Sequence, residues 1–314
     1  MASKPVSTSR KGGAAMGLNI TNAFAMLTIV GSLWTSAAAD ELKRVTVNGT
    51  ELAYVEAGEG DPVVFVHGGL QDYRMWKTHV AVFAKRYRVI AYSRRNHFPN
   101  AVSGDSTPDV AADIHGEDLA QLVKALGLSR VHVVAHSSGA HSALFFEANY
   151  PDLIRTLVMN EPNATGLLKT ASGGAETMKD FGSRVAPARE AFRSGDLERA
   201  LRLFADAVGG PGTYDRRSEE ERGMMTDNAL AHVADATTSR PRPDFTCEMA
   251  QRITAPTFLL NGGRSPALFH RTADELEHCL AKGERMTIPA ASHNVPGENP
   301  QRYDEAVLAF LAKH

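Results

Sequence analysis

The chain has 314 residues, of which 43% are hydrophobic and 22% are charged, so it is long enough for one large domain with an inserted segment or for two small domains. Its 34 lysines and arginines are balanced by 36 aspartates and glutamates, which argues against nucleic acid or an anionic membrane surface as a partner, because both require clustered positive charge. The two cysteines, Cys247 and Cys279, lack the spacing of a metal or thioredoxin-like site, and a single disulfide between them stays open if the protein is exported.

The N-terminal segment has the pattern of a secretory signal peptide. Basic residues precede an apolar stretch at 23–34, and Ala37 and Ala39 supply the small side chains that a signal peptidase requires before Asp40. The apolar stretch is shorter than the roughly 20 residues that span a bilayer. We therefore predict that residues 1–39 are a cleaved leader, that the mature protein is periplasmic or secreted, and that it has no stable membrane insertion. A disordered N-terminal extension is the alternative.

The rest of the chain alternates short apolar runs with helical patterns, which is typical of a mostly parallel sheet with helices on both faces. Asn48 and Gly49 favour a hairpin between the first two strands, which would make that pair antiparallel. Eight strands are predicted, at 44–47, 51–56, 63–67, 89–92, 131–135, 157–160, 257–261 and 286–288. The clearest helices are predicted at 75–85, 109–126, 138–149, 267–280 and 300–313.

Between about residues 162 and 252 the strand pattern stops and only helical patterning remains. This predicts a helical cap at 163–250, inserted into an α/β core made of 40–162 and 251–314. A helical insertion above the carboxyl edge of the sheet would cover the crevice where open α/β folds bind ligands. The amphipathic stretches of the cap are 175–193, 196–207 and 218–236.

Ser137 stands between a β-branched apolar run and a helical pattern, within residues 135–139, which read Ala-His-Ser-Ser-Gly. A serine at a sharp strand-to-helix turn needs small residues two positions before and after it, and Ala135 and Gly139 meet that need. Such a turn leaves the serine oxygen exposed above the edge of the sheet. The sequence therefore predicts Ser137 as a nucleophile.

A serine nucleophile requires a base within hydrogen-bond reach. His293 follows the last predicted strand and precedes the final helix, so we expect it at the same sheet edge and predict it as the base. His67 is a rival, but a histidine in its Val-His-Gly-Gly context more often braces the loop. His136 and His141, which flank the serine turn, are interpreted as packed or pocket-lining side chains.

Donors for the developing oxyanion are predicted at two backbone amides, those of Ser138 and Gly69. The pair Gly68 and Gly69 could also be a simple tight turn, and the two roles are compatible.

The acidic member of the site is less obvious. Ser265 occupies the position after the penultimate strand where a carboxylate is expected, and a serine cannot balance an imidazolium charge. Glu161 ends the neighbouring strand, where the sheet gives way to the predicted cap. We therefore predict Glu161 as the acid, with a solvated glutamate at the start of a loop as the alternative.

Taken together, these residues resemble the α/β-hydrolase superfamily from residue 42 to the C-terminus. The order Ser, acid, His is the order that this superfamily uses. Members with the acid after the sixth strand, including zearalenone lactonases, look similar at 160–162. The motifs that carry the resemblance are the oxyanion loop at 67–68, the nucleophile turn at 135–139, and the histidine loop at 292–293 with 298–300.

One segment departs from the superfamily pattern. Where relatives usually have Asp-x-Arg-Gly-x-Gly, residues 93–98 read Ser-Arg-Arg-Asn-His-Phe. Arg95 keeps its place, Asn96 can replace a glycine because asparagine tolerates left-handed backbone, and Phe98 is expected to reshape the pocket wall. Ser137 also separates this chain from haloalkane dehalogenases and epoxide hydrolases, which use an aspartate nucleophile.

The resemblance implies a serine hydrolase that cleaves a carboxylic ester or lactone of a small to medium, mainly apolar substrate through an acyl-enzyme, with no metal or organic cofactor. Two alternatives stay open: a carbon–carbon bond hydrolase or cofactor-free haloperoxidase with the same triad, and a non-catalytic binding protein, which the missing acid at Ser265 favours. The oligomeric state is open. Substrate specificity would lie in side chains of the cap, such as Phe181, Phe192, Phe204 and Met224. Helical periodicity favours the core of the cap over the pocket wall for most of them.

Overall fold

A computed structural model describes residues 41–101, 111–237 and 243–314. The predicted leader at 1–39 lies outside these ranges, as do the first residues of the helix predicted at 109–126. The described residues belong to one compact unit. Within the described ranges, no helix has the length and apolar character needed to cross a bilayer.

Eight strands form a single sheet. The strands are β1 Lys43–Val47, β2 Thr50–Ala57, β3 Pro62–Val66, β4 Arg88–Tyr92, β5 Val131–His136, β6 Ile154–Asn160, β7 Thr257–Gly262 and β8 Gly283–Ile288. Their order in the sheet is β1-β2-β4-β3-β5-β6-β7-β8. Strand β2 is antiparallel to both of its neighbours, and the remaining neighbouring pairs are parallel. The predicted mostly parallel sheet is therefore confirmed.

The hairpin between β1 and β2 is also confirmed. Asn48 and Gly49 have φ angles of 45° and 71°, the left-handed backbone that a two-residue hairpin turn requires. The eighth strand begins three residues before its predicted start. Its first residues are largely exposed, because β8 is an edge strand, and so they carry no apolar signal.

The helices that cover the sheet and those of the inserted segment follow one another along the chain. They are α1 Lys77–Phe83, α2 Ala112–Ala125, α3 Ser138–Asn149, α4 Gly174–Ser194, α5 Leu197–Gly209, α6 Thr213–Arg216, α7 Glu219–Asp227, α8 Ala229–Thr237, α9 Cys247–Ala250, α10 Ala267–Cys279, α11 Val295–Glu298 and α12 Pro300–Lys313.

The core lies on both faces of the sheet, as alternation along β3 illustrates. Val64 and Val66 pack with residues of α2 and α3 on one face, whereas Val63 and Phe65 pack with residues of α1 and α12 on the other. Successive side chains of a strand point to opposite faces, and burial on both faces explains why the parallel strands read as continuous apolar runs. The carboxyl edge of the sheet is left for the loops that carry the site.

Helices α4 to α8 pack around a smaller apolar cluster of their own, which includes Phe192, Leu201 and Met225. The amphipathic stretch predicted at 218–236 forms two helices, α7 and α8, which are separated at Asn228. The Asn228 amide donates to Asp72 and accepts from the backbone N–H of Phe98. These contacts with loops of the α/β core satisfy a buried amide, and a helical pattern alone does not reveal them.

A disulfide joins Cys247, the first residue of α9, to Cys279, the last residue of α10. Their Cα atoms are 5.4 Å apart and the residues are 32 positions apart in sequence. The bridge therefore ties the end of the inserted segment to the helix that follows β7.

Candidate active site

The three side chains predicted to form a triad lie in direct contact at the carboxyl edge of the sheet. Ser137 follows β5, Glu161 follows β6, and His293 stands on the loop after β8. The Oγ of Ser137 is 2.9 Å from Nε2 of His293, and Nδ1 of His293 is 2.6 Å from Oε2 of Glu161. Three side chains that are 24 to 156 positions apart in sequence thus form one continuous hydrogen-bonded network.

The turn that carries Ser137 has the tight geometry that its sequence predicts. Ser137 has φ 54° and ψ −121°, a strained conformation for a residue other than glycine. Its backbone N–H donates to the carbonyl of Asn160 at 2.8 Å, which anchors the turn to β6. At Gly139 an added Cβ would lie 2.2 Å from the carbonyl oxygen of His67. Only glycine fits at that position.

Glu161 is fully buried and its backbone is strained as well, with φ 49°. Its N–H donates to the carbonyl of Leu260, and its Oε1 accepts a 2.7 Å hydrogen bond from the N–H of Gly262. Burial raises the pKa of Glu161 to about 7, opposed by the hydroxyl of Ser265 and the N–H of Gly262, which favour the charged form. Ser265 therefore faces the carboxylate from the position where relatives are expected to carry the acid.

The His293 ring is held in place from two sides. It stacks on Phe269 with ring centroids 3.9 Å apart and an interplanar angle of 19°. The backbone of the preceding residue, Ser292, donates to Oε2 of Glu298 at 2.8 Å, and the Ser292 hydroxyl bonds the same carboxylate. These contacts fix the imidazole between its two partners.

The electrostatics favour a neutral His293. Burial, and then the positive charge of Arg217, lower the pKa of His293. A neutral imidazole that donates from Nδ1 to the carboxylate presents a lone pair on Nε2 toward the Ser137 hydroxyl. The arrangement can therefore remove the proton of the serine.

Both predicted oxyanion amides line the cavity in front of Ser137. Ser138 is the first residue of α3, where a backbone N–H has no partner within its helix. Among the described residues, the N–H of Gly69 makes no backbone hydrogen bond. Both donors are thus available to a ligand oxygen.

His67 braces the oxyanion loop, in agreement with the sequence interpretation. Its Nε2 accepts from the backbone N–H of Arg94 at 2.9 Å, so Nδ1 carries the proton and donates to the carbonyl of Gly68 at 2.8 Å. Both ring nitrogens are occupied, and the ring is fully buried. His136 and His141 line the cavity, as predicted.

The loop after β4 supports the oxyanion loop in a way that sequence reasoning missed. Nη2 of Arg94 donates to the carbonyl of Gly68 at 2.9 Å and to the Ser138 hydroxyl at 3.0 Å. Nε2 of His97 lies 3.0 Å from the carbonyl of Gly69. The departure from the superfamily pattern at 93–98 was the sequence feature that could have indicated this role. Within that segment, Arg94 and His97 line the cavity.

The expectation for Phe98 in that loop was wrong. Phe98 is 39% exposed, and the guanidinium of Arg74 lies 4.2 Å from its ring centroid, so its bulk faces outward. Arg95 pairs with both carboxylate oxygens of Asp118. Asn96 has φ 62°, which confirms the predicted left-handed backbone.

A cavity of about 580 Å³ opens above the triad. It is walled on one side by the sheet edge and on the other by the inserted segment, from which Phe181 and Phe204 contribute. Phe192 and Met224 are buried instead. In the described ranges, no group of three or more histidine, cysteine, aspartate or glutamate side chains is arranged to hold a metal ion.

Comparison with known proteins agrees with this architecture. The chain is 26% identical to a non-heme haloperoxidase of Rhodococcus erythropolis, over 84% of this chain and 97% of that protein. It is 25% identical to a bifunctional esterase/perhydrolase of Acinetobacter calcoaceticus, over 85% and 98%. The solved structure of an N-acyl homoserine lactone degrading enzyme superposes with a TM-score of 0.69 at 21% identity, covering 85% of this chain and all of the other. The sequence model of the alpha/beta hydrolase family matches residues 63–306, and the chain belongs to that family.

Proposed function

We propose that this protein is a serine hydrolase that cleaves a carboxylic ester or lactone of a small to medium substrate. The observation that carries the proposal is the hydrogen-bonded chain from Ser137 through His293 to Glu161. The esterase activity in the name of the Acinetobacter relative and the lactone substrate in that of the structural neighbour also support it.

The mechanism follows from the positions of five residues. Ser137 attacks the substrate carbonyl while His293 accepts its proton, and Glu161 stabilises the imidazolium that forms. The backbone amides of Gly69 and Ser138 donate to the tetrahedral oxyanion, where the loss of one donor typically costs a hundredfold or more in rate. His293 then protonates the leaving alcohol, and the same residue activates the water that hydrolyses the acyl-enzyme.

Replacing Ser137 with alanine tests this proposal. Turnover of a panel of p-nitrophenyl esters should fall to the background rate, and a fluorophosphonate probe should label the wild-type protein but not Ser137→Ala. Labelling that is equal in both proteins would refute Ser137 as the nucleophile. A wild-type protein that neither turns over any ester nor reacts with the probe would support the alternative of a non-catalytic binding protein.

A second reaction on the same triad is favoured by the relatives. One is named a haloperoxidase and another a perhydrolase, and in both reactions an acyl group would pass from Ser137 to hydrogen peroxide instead of water. Peracid formation from acetate and hydrogen peroxide, measured beside ester hydrolysis, separates the two. A vinylogous diketone in the same product assay tests the carbon–carbon bond alternative.

We also propose that the protein is exported. The leader pattern at 1–39 supports this, and so does the bridge between Cys247 and Cys279, because disulfides persist mainly in oxidising compartments. N-terminal sequencing of the protein from periplasm or medium should give a mature end near Asp40. Recovery of the uncleaved chain from the cytosol alone would contradict export.

A further inference from the structure

The described walls of the active-site cavity carry an excess of positive charge. Among the described residues, four arginines line the cavity, namely Arg94, Arg189, Arg193 and Arg217, against a single carboxylate, Asp244. That carboxylate is paired with Lys169 at 2.5 Å, so it neutralises none of the arginines. Clefts lined by charge of one sign concentrate ligands of the opposite sign.

Three histidines of the cavity, His97, His115 and His136, do not add to this charge. Burial lowers the pKa of His97 and of His136 to about 3, and it lowers the pKa of His115 well below its usual value. These rings are therefore neutral at physiological pH.

Among the described arginines of the inserted segment, Arg217 is the one whose charge acts on the triad. It lies between α6 and α7, its side chain is 15% exposed, and it shares the cavity with Ser137 and His293. Its charge lowers the pKa values of both His293 and His136. Arg189 and Arg193, in contrast, are exposed on α4 and stand at the rim.

The hydrogen-bonding capacity of Arg217 is only partly used. Glu221 approaches its Nη1 at 3.4 Å, and that carboxylate is 40% exposed and also caps α7 by accepting from the backbone and hydroxyl of Ser218. The Nε–H of Arg217 is buried and has no hydrogen-bond partner in the part of the chain that the structure describes. A partly buried guanidinium with a buried, unused donor is costly, and a carboxylate matches its forked geometry.

We infer that the substrate carries a carboxylate beside its ester or lactone, and that Arg217 binds this carboxylate. This inference rests on the proposed hydrolase function and names its substrate class. It narrows the expectation of a mainly apolar substrate to an apolar body, which Phe181 and Phe204 would contact, with one anionic group. Arg217 would then select the substrate and orient it without taking part in the proton transfers.

Two pairs of matched esters test the inference. Monophenyl adipate and the corresponding monoamide differ in charge on the acyl side, and para-carboxyphenyl acetate and para-carbamoylphenyl acetate differ on the leaving-group side. Each ester is measured with the wild-type protein, with Arg217→Gln and with Arg184→Gln. Arg184 is a suitable control because it is an exposed arginine of the same inserted segment, paired with Asp180.

In at least one pair, the wild type should prefer the carboxylate over the amide by about 10- to 100-fold in kcat/KM, as expected for hydrogen bonds to a charged group. Arg217→Gln should lose that preference and hydrolyse the carboxylate and the amide of each pair with similar kcat/KM, and Arg184→Gln should retain the preference. Equal rates within both pairs would overturn the inference. An equal loss on carboxylates and amides in Arg217→Gln would overturn it too.

Binding of free adipate, measured by calorimetry, separates this inference from the proposed function. If no ester is hydrolysed, but adipate binds to the wild type and at least 10-fold more weakly to Arg217→Gln, the anion site stands and the hydrolase function fails. If esters are hydrolysed without a charge preference and adipate does not bind, the hydrolase function stands and the anion site fails.

Discussion

Replacing Glu161 with glutamine should destroy activity and at the same time raise stability. Glutamine keeps the size of the side chain, and its carbonyl can still accept from the N–H of Gly262. Its amide group, however, would face Nδ1 of His293 and force the proton onto Nε2, the nitrogen that must accept from Ser137. An asparagine in place of the aspartate of a serine protease triad lowers kcat by about 10⁴ through this exchange of tautomers, and we expect a loss of similar order here.

The stability effect follows from the raised pKa of the same carboxyl. A pKa of about 7 in the folded protein, against 4.5 for an unperturbed glutamate, means that the charged form opposes folding. This cost is absent below the unfolded pKa, grows as the pH rises through that range, and is complete above about 7. It amounts to up to about 3 kcal/mol. Because glutamine is always neutral, Glu161→Gln should gain up to that amount at pH 8.

Urea unfolding at pH 8 and kcat/KM on a p-nitrophenyl ester measure the two effects. Glu147 provides a matched control: it is also fully buried, burial raises its pKa to about 7 as well, and its carboxylate accepts from the backbone of Ala255, remote from the triad. Glu147→Gln should therefore gain stability with unchanged activity. A Glu161→Gln protein that retains more than a tenth of the wild-type rate would refute Glu161 as the acid.

Three further outcomes follow from the structure. The kcat/KM value should rise with pH and level off above about 7, because burial raises the pKa of Glu161 to that value. Below that pH, a proton bound by the coupled Glu161–His293 pair removes the base. A flat profile of kcat/KM from pH 5 to 8 would contradict this. Arg94→Met should lower kcat by about tenfold with little change in KM. Loss of the hydrogen bonds to Gly68 and Ser138 leaves the oxyanion amides less well positioned, which should cost about 1 to 2 kcal/mol of transition-state stabilisation. An unchanged kcat in steady-state kinetics would exclude this role of Arg94. Replacing both cysteines, Cys247→Ser together with Cys279→Ser, should lower the free energy of unfolding by about 3 to 4 kcal/mol, because the bridge closes a loop of 32 residues. The kcat/KM value at 25 °C should not change. Equal midpoints of urea unfolding with and without the bridge would contradict this expectation.

The sheet and its edge could be predicted from sequence because their signals are local. Strands buried on both faces read as apolar runs, and the turn at Ser137 requires small neighbours such as Gly139 for a steric reason. The position of Glu161 was inferred from topology, since adjacent parallel strands bring their carboxyl ends to one edge. Each of these inferences needs only the order of elements and the geometry of one turn.

The cavity walls could not be predicted in this way. The direction of a cap side chain depends on where its helix stops, and α7 stops at Asn228 because that amide bonds Asp72 and Phe98 from the α/β core. Helical periodicity therefore did not separate Phe204, which lines the cavity, from Phe192, which is buried in the cap. The role of Arg94 was missed for a similar reason, because its partners Gly68 and Ser138 come from two other loops.

The candidate triad is the place where this chain departs most from local structural preference. Among the described residues other than glycine, only two besides asparagine have positive φ, and they are Ser137 and Glu161. Such a conformation costs of order 1 to 3 kcal/mol at each site, and burial of the Glu161 carboxylate adds to it. Each strained residue donates its backbone N–H to the strand next to its own, Ser137 to Asn160 and Glu161 to Leu260. Both strained residues are therefore anchored to adjacent central strands of the sheet, whose side chains are largely buried, and this anchoring holds the triad in position for proton transfer.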